Sequence, residues 1–353
     1  MSTRITQSVT NRTYLSNLTK ATNNKNRQME KIQTGRDFER VSDHVSAGLN
    51  AISIRSKLYK NEQMTENIAT AYEQLSNAEN NLTSINDILI TVQGEVMKAL
   101  NGTNPEGSDV IFDSIFENSK ESIADLANGK FNDKYILGGS NIEKQPFSFD
   151  DDGMLLYQGV RMDSVVSDSG QFKYDVGGTL TRVPYSEDTF IDIGLDIKVE
   201  NGKIDPQTAY KVSVSGLSTL GYGTTDLKYT DSDGSIKTYS GISNNIVDII
   251  TEMQKAYKDG DMDKLDALRG HMNKRMDQMM SEVAIIGTRC QFLDATTQRL
   301  ENDNISLHKM QQDTEGIDDA TEIMYYQQYD YAMNLTLQFG SSVIPKSLMD
   351  YIV

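Results

Sequence analysis

The sequence predicts a mainly α chain with a β insert: a long antiparallel coiled-coil-like helical rod built from both chain ends, plus a small β-rich domain inserted in the middle. Three observations carry this. Two apolar ladders with heptad spacing flank the middle of the chain. Between them the apolar period falls to two, the period of a half-buried strand. The two ends both read as helices and carry opposite charge: residues 1–60 hold eleven Lys/Arg against four Asp/Glu, and residues 313–353 hold one Lys against seven Asp/Glu.

The N-terminal arm has a thin apolar stripe, Leu15, Leu18, Met29 and Ile32, interrupted by Thr22 and Lys25. That is too little apolar surface to offset the conformational entropy of ordering a helix of this length. The arm is therefore expected to be unstructured in the monomer and to fold on assembly.

The first ladder runs Met64, Ile68, Ala71, Leu75, Ala78, Leu82, Ile85, Leu89, Val92, Val96 and Ala99, with steps alternating four and three. This is the repeat of a coiled-coil seam, and a helix over 64–99 would be roughly 54 Å long at ~1.5 Å per residue. Asn101-Gly-Thr-Asn-Pro-Glu-Gly107 ends it. A further helix is expected over about 109–128, with Ile111, Ile115, Ile123 and Leu126 on one side and Gly129 after it.

Residues 101–245 hold 17 of the 25 glycines, and most of the net charge of −17. Phe147 and Phe149 alternate, Asp150-Asp-Asp-Gly153 turns, and Met154 to Tyr157 return as a hairpin. Strands are expected over Phe190–Val199 and Lys211–Ser215, with Leu227–Tyr229 and Ile236–Tyr239 completing the β region. The helical period resumes near Asn244 with Ile246, Ile249, Ile250, Met253 and Tyr257, and Asp259-Gly260 breaks it.

The second ladder runs Met272, Met276, Met279, Val283, Ile286, Cys290, Leu293, Thr297, Leu300, Asn304 and Leu307. It matches the first in spacing and length, so the two can pair antiparallel. The expected seam residues are Ile68, Leu75, Leu82, Leu89, Val283, Cys290 and Leu300. Asn304 at a seam position would fix register at some cost in stability. The C-terminal arm then carries Met324, Tyr325, Tyr331, Leu335, Leu337 and Phe339, and the chain closes on Leu348-Met-Asp-Tyr-Ile-Val353. Leu15, Leu18, Met29, Ile32, Met324, Tyr331, Leu335 and Leu337 are the expected assembly interface. The division expected is 1–42 with 312–353 as terminal arms, 43–143 with 243–311 as the rod, and 144–242 as the β-rich outer domain.

Motifs for chemistry are not found. The three histidines, His44, His271 and His308, form no His-Glu-x-x-His set. One cysteine, Cys290, allows neither an internal disulfide nor a Cys-based zinc site. Asp231-Ser-Asp-Gly234 has its glycine at the fourth position and Ile242 at the twelfth, unlike a calcium loop, and reads as a hairpin turn. No catalytic residue, cofactor or metal is expected, and the acidic balance argues against nucleic acid as a partner. No apolar run approaches the ~18 residues of a membrane span, and the first residues do not read as a cleavable signal peptide.

Several stretches resemble the flagellin superfamily. Arg4-Ile-Thr-Gln-Ser8, Tyr14-Leu-Ser-Asn-Leu18 and Gln28 to Arg36 look like its N-terminus. Val41-Ser-Asp-His-Val45 departs from the Ser-Asp-Asp-Pro loop that follows there. Gly287-Thr-Arg289, Asp318-Asp-Ala320, Gln327-Gln328, Tyr331-Ala-Met333 and Ser347-Leu-Met-Asp-Tyr351 are similar to its C-terminal end. Asn132-Asp-Lys-Tyr-Ile-Leu-Gly-Gly-Ser140 with Gln145-Pro-Phe147 resembles the hook–filament junction branch more than flagellin proper. The resemblance covers about 1–147 and 243–353.

It implies a non-enzymatic structural component of the bacterial flagellum, a junction adaptor between hook and filament; the rival is a minor flagellin, and a type III needle-tip-like protein stands further off. It also implies terminal arms that coil into an inner tube layer of a homo-oligomeric ring. The implied partners are the other hook-associated junction protein, flagellin, and a cytosolic export chaperone on the C-terminal arm. The implied location is extracellular, after type III export without a cleaved signal.

Overall fold

A computed structural model describes residues 7–101, 108–168, 170–194, 197–200, 203–205, 208–230 and 235–343. The α-helices among them are Gln7–Thr34 (α1), Val45–Leu100 (α2), Ser108–Ala127 (α3), Gly216–Leu220 (α4), Ile246–Lys258 (α5), Met262–Glu315 (α6) and Asp319–Val343 (α7). The chain forms two compact units: one from residues up to Glu62 together with those from Leu300 onward, the other from Gln63–Arg299. Both long helices, α2 and α6, contribute to each.

In the Gln63–Arg299 unit the α2 ladder is buried at every step from Ile68 to Ala99. Met272, Met279, Val283, Ile286, Cys290 and Leu293 of α6 are buried too. The two helices run antiparallel, as the expected seam requires. Gln93 donates to the Arg269 carbonyl at 3.4 Å, Glu79 lies opposite Gly287, and Tyr72 lies near Cys290 and Asp294. Leucine-sized side chains fully removed from water contribute roughly 1.5–3 kcal/mol each, so this seam is a large source of the unit's stability.

Helix α3 lies against α2 and α5. Asn81 donates to the Leu126 carbonyl at 3.2 Å, and Phe112 stacks on Tyr257 with centroids 4.2 Å apart. Helix α5 starts where the Asn245 side chain accepts hydrogen bonds from the amides of Val247 and Asp248, an N-cap. Asp259 closes α5, and Gly260 turns the chain at φ 71°.

The β elements are small antiparallel sheets. Strands 147–149, 155–157 and 160–161 pair in sequence, with Phe147 opposite Tyr157 and Phe149 opposite Leu155. This is the expected hairpin. The Asp150 carboxylate holds its turn by accepting from the amides of Asp152 and Met154. Strands 165–168, 171–176 and 179–182 form a second sheet. Strands 224–230 and 236–243 form the other expected hairpin, longer than the sequence suggests.

The long strand expected over Phe190–Val199 is not continuous. Phe190–Ile191 pairs with Tyr210–Lys211, and Val199–Glu200 pairs with Lys203–Ile204. Gly194 breaks the run with φ 87° and lies against Met64 and Arg299. Ile193 within it is buried although no β partner pairs with it, and its neighbour Asp192 accepts from Asn67 of α2 through its carbonyl at 3.3 Å. Within the stretch Asn132–Ser140, residues 136–139 are buried, while Asn132, Asp133 and Lys134 are exposed. Leu137 is buried, its carbonyl accepts from the Gly216 amide at 3.2 Å, and a Cβ on Gly216 would meet the Phe147 ring at 2.3 Å.

Candidate assembly interface

The second unit is built from α1, α7 and the adjoining parts of α2 and α6. Helices α1 and α7 pack against each other antiparallel. Tyr14 lies at Gly340, where an added Cβ would fall 1.9 Å from the phenol oxygen. Lys25 Nζ is 2.5 Å from Asp330 Oδ1 and 5.7 Å from the centre of the Tyr326 ring. Asp330 raises the Lys25 pKa above its ordinary value. Buried Gln28 donates both to the Glu322 carboxylate and to the Glu322 carbonyl. Between α1 and α7 the opposite charge of the two ends thus resolves, among the described residues, into Lys25 with Asp330, not into a continuous ladder of ion pairs.

A tighter contact follows at the end of α1. The Glu315 side chain is 3% exposed. It accepts from Arg55 Nε at 2.9 Å and from Arg55 Nη2, with Arg36 Nε at 3.7 Å. The Glu315 carbonyl accepts from the Asp37 amide at 2.8 Å, and Arg36 bridges to Gly316. Gly35, at φ 65°, turns the chain so that Arg36 and Asp37 reach the α6–α7 joint. Phe38, next in the chain, is buried, with the His44 ring 6.1 Å from its own.

The expected seam residues Ile68, Leu75, Leu82, Leu89, Val283, Cys290 and Leu300 are all buried. Cys290 is a free thiol, and burial raises its pKa. Asn304 and Leu307, at the end of the second ladder, are half-buried. The expected interface residues divide differently. Leu18, Ile32 and Leu335 are half-buried. Leu15, Met29, Met324, Tyr331 and Leu337 are exposed, Tyr331 most of all at 66%. No apolar side chain of α1 or α7 is fully buried among the described residues.

Sequence reasoning missed Tyr14, Gln28, Gly340, Arg55 and Glu315. Glycine three residues before the end of a helix, at Gly340, was a legible signal of close approach. The burial of Glu315 was not, because nothing local distinguishes it from its charged neighbours. The terminal Leu348–Val353 segment and the Asp231–Gly234 turn lie outside the described residues. Among the described residues no group of three or more His, Cys, Asp or Glu could hold a metal ion, and no helix is long and apolar enough to cross a membrane.

Residues 5–142 match the model of the bacterial flagellin N-terminal helical region. Among solved structures the fold is shared with one described as a flagellar hook-associated protein of Vibrio parahaemolyticus. That match has 14% identity, covers 78% of this chain and 100% of the other, and has a TM-score of 0.54. A flagellar hook-associated protein-3 from Legionella pneumophila matches at 11% identity over 72% of this chain and 96% of its own, with a TM-score of 0.50. No curated protein matches by sequence.

Proposed function

We propose that this chain, whose residues 5–142 match the flagellin N-terminal helical region, is a structural subunit of the flagellin superfamily that assembles through its paired terminal helices, at the junction of flagellar hook and filament. The observation that carries the reading is a mismatch in where the apolar side chains lie. The α1/α7 unit supplies five of the 51 buried apolar side chains among the described residues, and sixteen of the 32 large apolar side chains left exposed. It amounts to about a third of the chain. A helix pair with this little core is marginal in water, and its exposed apolar residues mark an interaction surface.

Copies of the same unit are the natural cover. In a ring, α1 and α7 would form a continuous inner layer, with Leu15, Met29, Met324, Tyr331 and Leu337 buried between neighbours. The Gln63–Arg299 unit, with its own seam, folds without such help. The arms of the free chain would then be ordered in full only on assembly. Under this reading the neighbours are the second hook-associated junction protein on the hook side and flagellin on the filament side. Export is by the flagellar type III route without a cleaved signal, with a cytosolic chaperone covering the apolar C-terminal arm, and the mature protein lies outside the cell. No catalytic role is proposed.

A minor flagellin would use the same surface, and the similarity of residues 5–142 to flagellin itself favours keeping that second reading. Electron microscopy of cells lacking the protein separates them. A junction adaptor leaves hooks without filaments and flagellin in the medium. A minor flagellin leaves filaments in place.

A further inference from the structure

Strand 224–230 and the 266–278 stretch of α6 border an open groove of about 740 Å³, lined among others by Lys228, Asn244, Arg269, Lys274 and Arg275. In a chain of net charge −17 this is a basic place. Its two acids are already engaged. Asp266 pairs with Arg269 at 2.8 Å, and Asp226 Oδ1 accepts from the Gly241 amide. Lys228 and Lys274 are exposed on the two walls.

Arg275 is the unusual member. It is half-buried, and among the described residues no carboxylate pairs with it. Its Nη1 donates to Gln278, while its buried Nε has no partner. The guanidinium is fixed rather than loose. It lies on the backbone of Gly221, where an added Cβ would fall 2.3 Å from Nη2, and near Tyr222. Gly221 has φ 95°, so the chain there already takes a conformation that suits glycine. A partly desolvated guanidinium without a counter-charge is costly, and its planar fork of donors suits an oxyanion.

We propose that this groove binds a small oxyanion, phosphate or carboxylate, with Arg275 as the anchor and Lys228 and Lys274 closing on it from either wall. The site belongs to the Gln63–Arg299 unit and does not depend on the assembly reading. The test is calorimetric titration of the full chain with inorganic phosphate, and separately with citrate, at ionic strength matched with chloride. The expected result is saturable binding of at least one anion, weakened tenfold or more in Arg275→Gln. A preference for phosphate or for citrate assigns the ligand class, and either supports the site. Should Arg275→Gln unfold by circular dichroism, Lys228→Gln with Lys274→Gln, both on exposed positions, takes its place and is expected to weaken binding severalfold. No saturable heat with either anion, or isotherms unchanged by these substitutions, would overturn the proposal.

Discussion

The carboxylate of Glu315, 3% exposed, accepts hydrogen bonds from both Nε and Nη2 of Arg55, across 260 residues of sequence. The pair fastens the end of α6 to α2 beside the α6–α7 joint, with Arg36 close by. Hydrogen bonds between charged groups contribute more than neutral ones, and removing one partner of a buried pair leaves the other unsatisfied. Glu315→Ala is expected to cost on the order of 1–3 kcal/mol, since Arg55 keeps some access to water. Hydrogen exchange should rise across 30–60 and 305–325 and stay unchanged over 75–95. Equal exchange in both stretches would refute a local role for Glu315.

Lys25 and Asp330 form the direct charge contact between α1 and α7. Both side chains keep access to solvent, and such pairs set register more than stability. Lys25→Glu and Asp330→Lys are each expected to lower incorporation into flagella, and the double exchange to restore it. The check is the amount of each variant in sheared flagellar preparations. Single variants that incorporate fully would make the charge complementarity incidental to the apolar stripes.

Leu82 is wholly buried at the centre of the α2 seam. Leu82→Ala is expected to cost about 2–5 kcal/mol by lost transfer energy and the cavity left behind. Denaturant unfolding would show the loss. A cost below about 1 kcal/mol would mean that the seam does not carry the Gln63–Arg299 unit.

Asp248 gives this unit a defined pH response. Burial raises its pKa from 3.8 to about 6, against hydrogen bonds from the Leu155 amide and the Ser243 hydroxyl, with Asp163 adding to the rise and Arg161 opposing it. Between those two pH values the folded chain holds a proton that the unfolded chain has released. Asp248 therefore contributes stability that is present below about pH 4 and lost as pH rises through about 6, amounting to roughly 3 kcal/mol at ~1.4 kcal/mol per unit. His271, buried with Nε2 at 3.3 Å from the Ser243 carbonyl, has a lowered pKa, so its contribution is lost as pH falls through that lowered value. The difference between the parent chain and Asp248→Asn isolates the carboxylate. That difference should grow in favour of Asp248→Asn as pH rises from 4 to 6. A difference constant with pH would show that Asp248 does not titrate in this window.

The long helices were legible because an apolar step of three and four residues leaves one packing solution. Each ladder residue from Ile68 to Ala99 lands in the core. The β insert was legible only where turn chemistry was strong, as at Asp150–Gly153. One such signal was overlooked: Val176-Gly-Gly-Thr179 closes a hairpin with both glycines at positive φ, 62° and 87°, as a two-residue turn of that hand requires. The alternation over Phe190–Val199 misled because the run breaks at Gly194, which lies against Met64 of α2 and Arg299 of α6 rather than beside a strand. In the assembly surface, the apolar stripes could be read from spacing. Their partial exposure could not, because it depends on how little α7 covers of α1.

The most direct test of the arms as an assembly layer uses Leu15→Asp, Tyr331→Asp and Leu337→Asp together, at three exposed positions. The folded Gln63–Arg299 unit should be untouched, with the parent circular dichroism and thermal midpoint. Immunoelectron microscopy of cells expressing the triple variant in place of the parent should show hooks without it and without filaments. Normal labelling at the hook–filament boundary, with normal filaments, would contradict the claim that these helices build the junction.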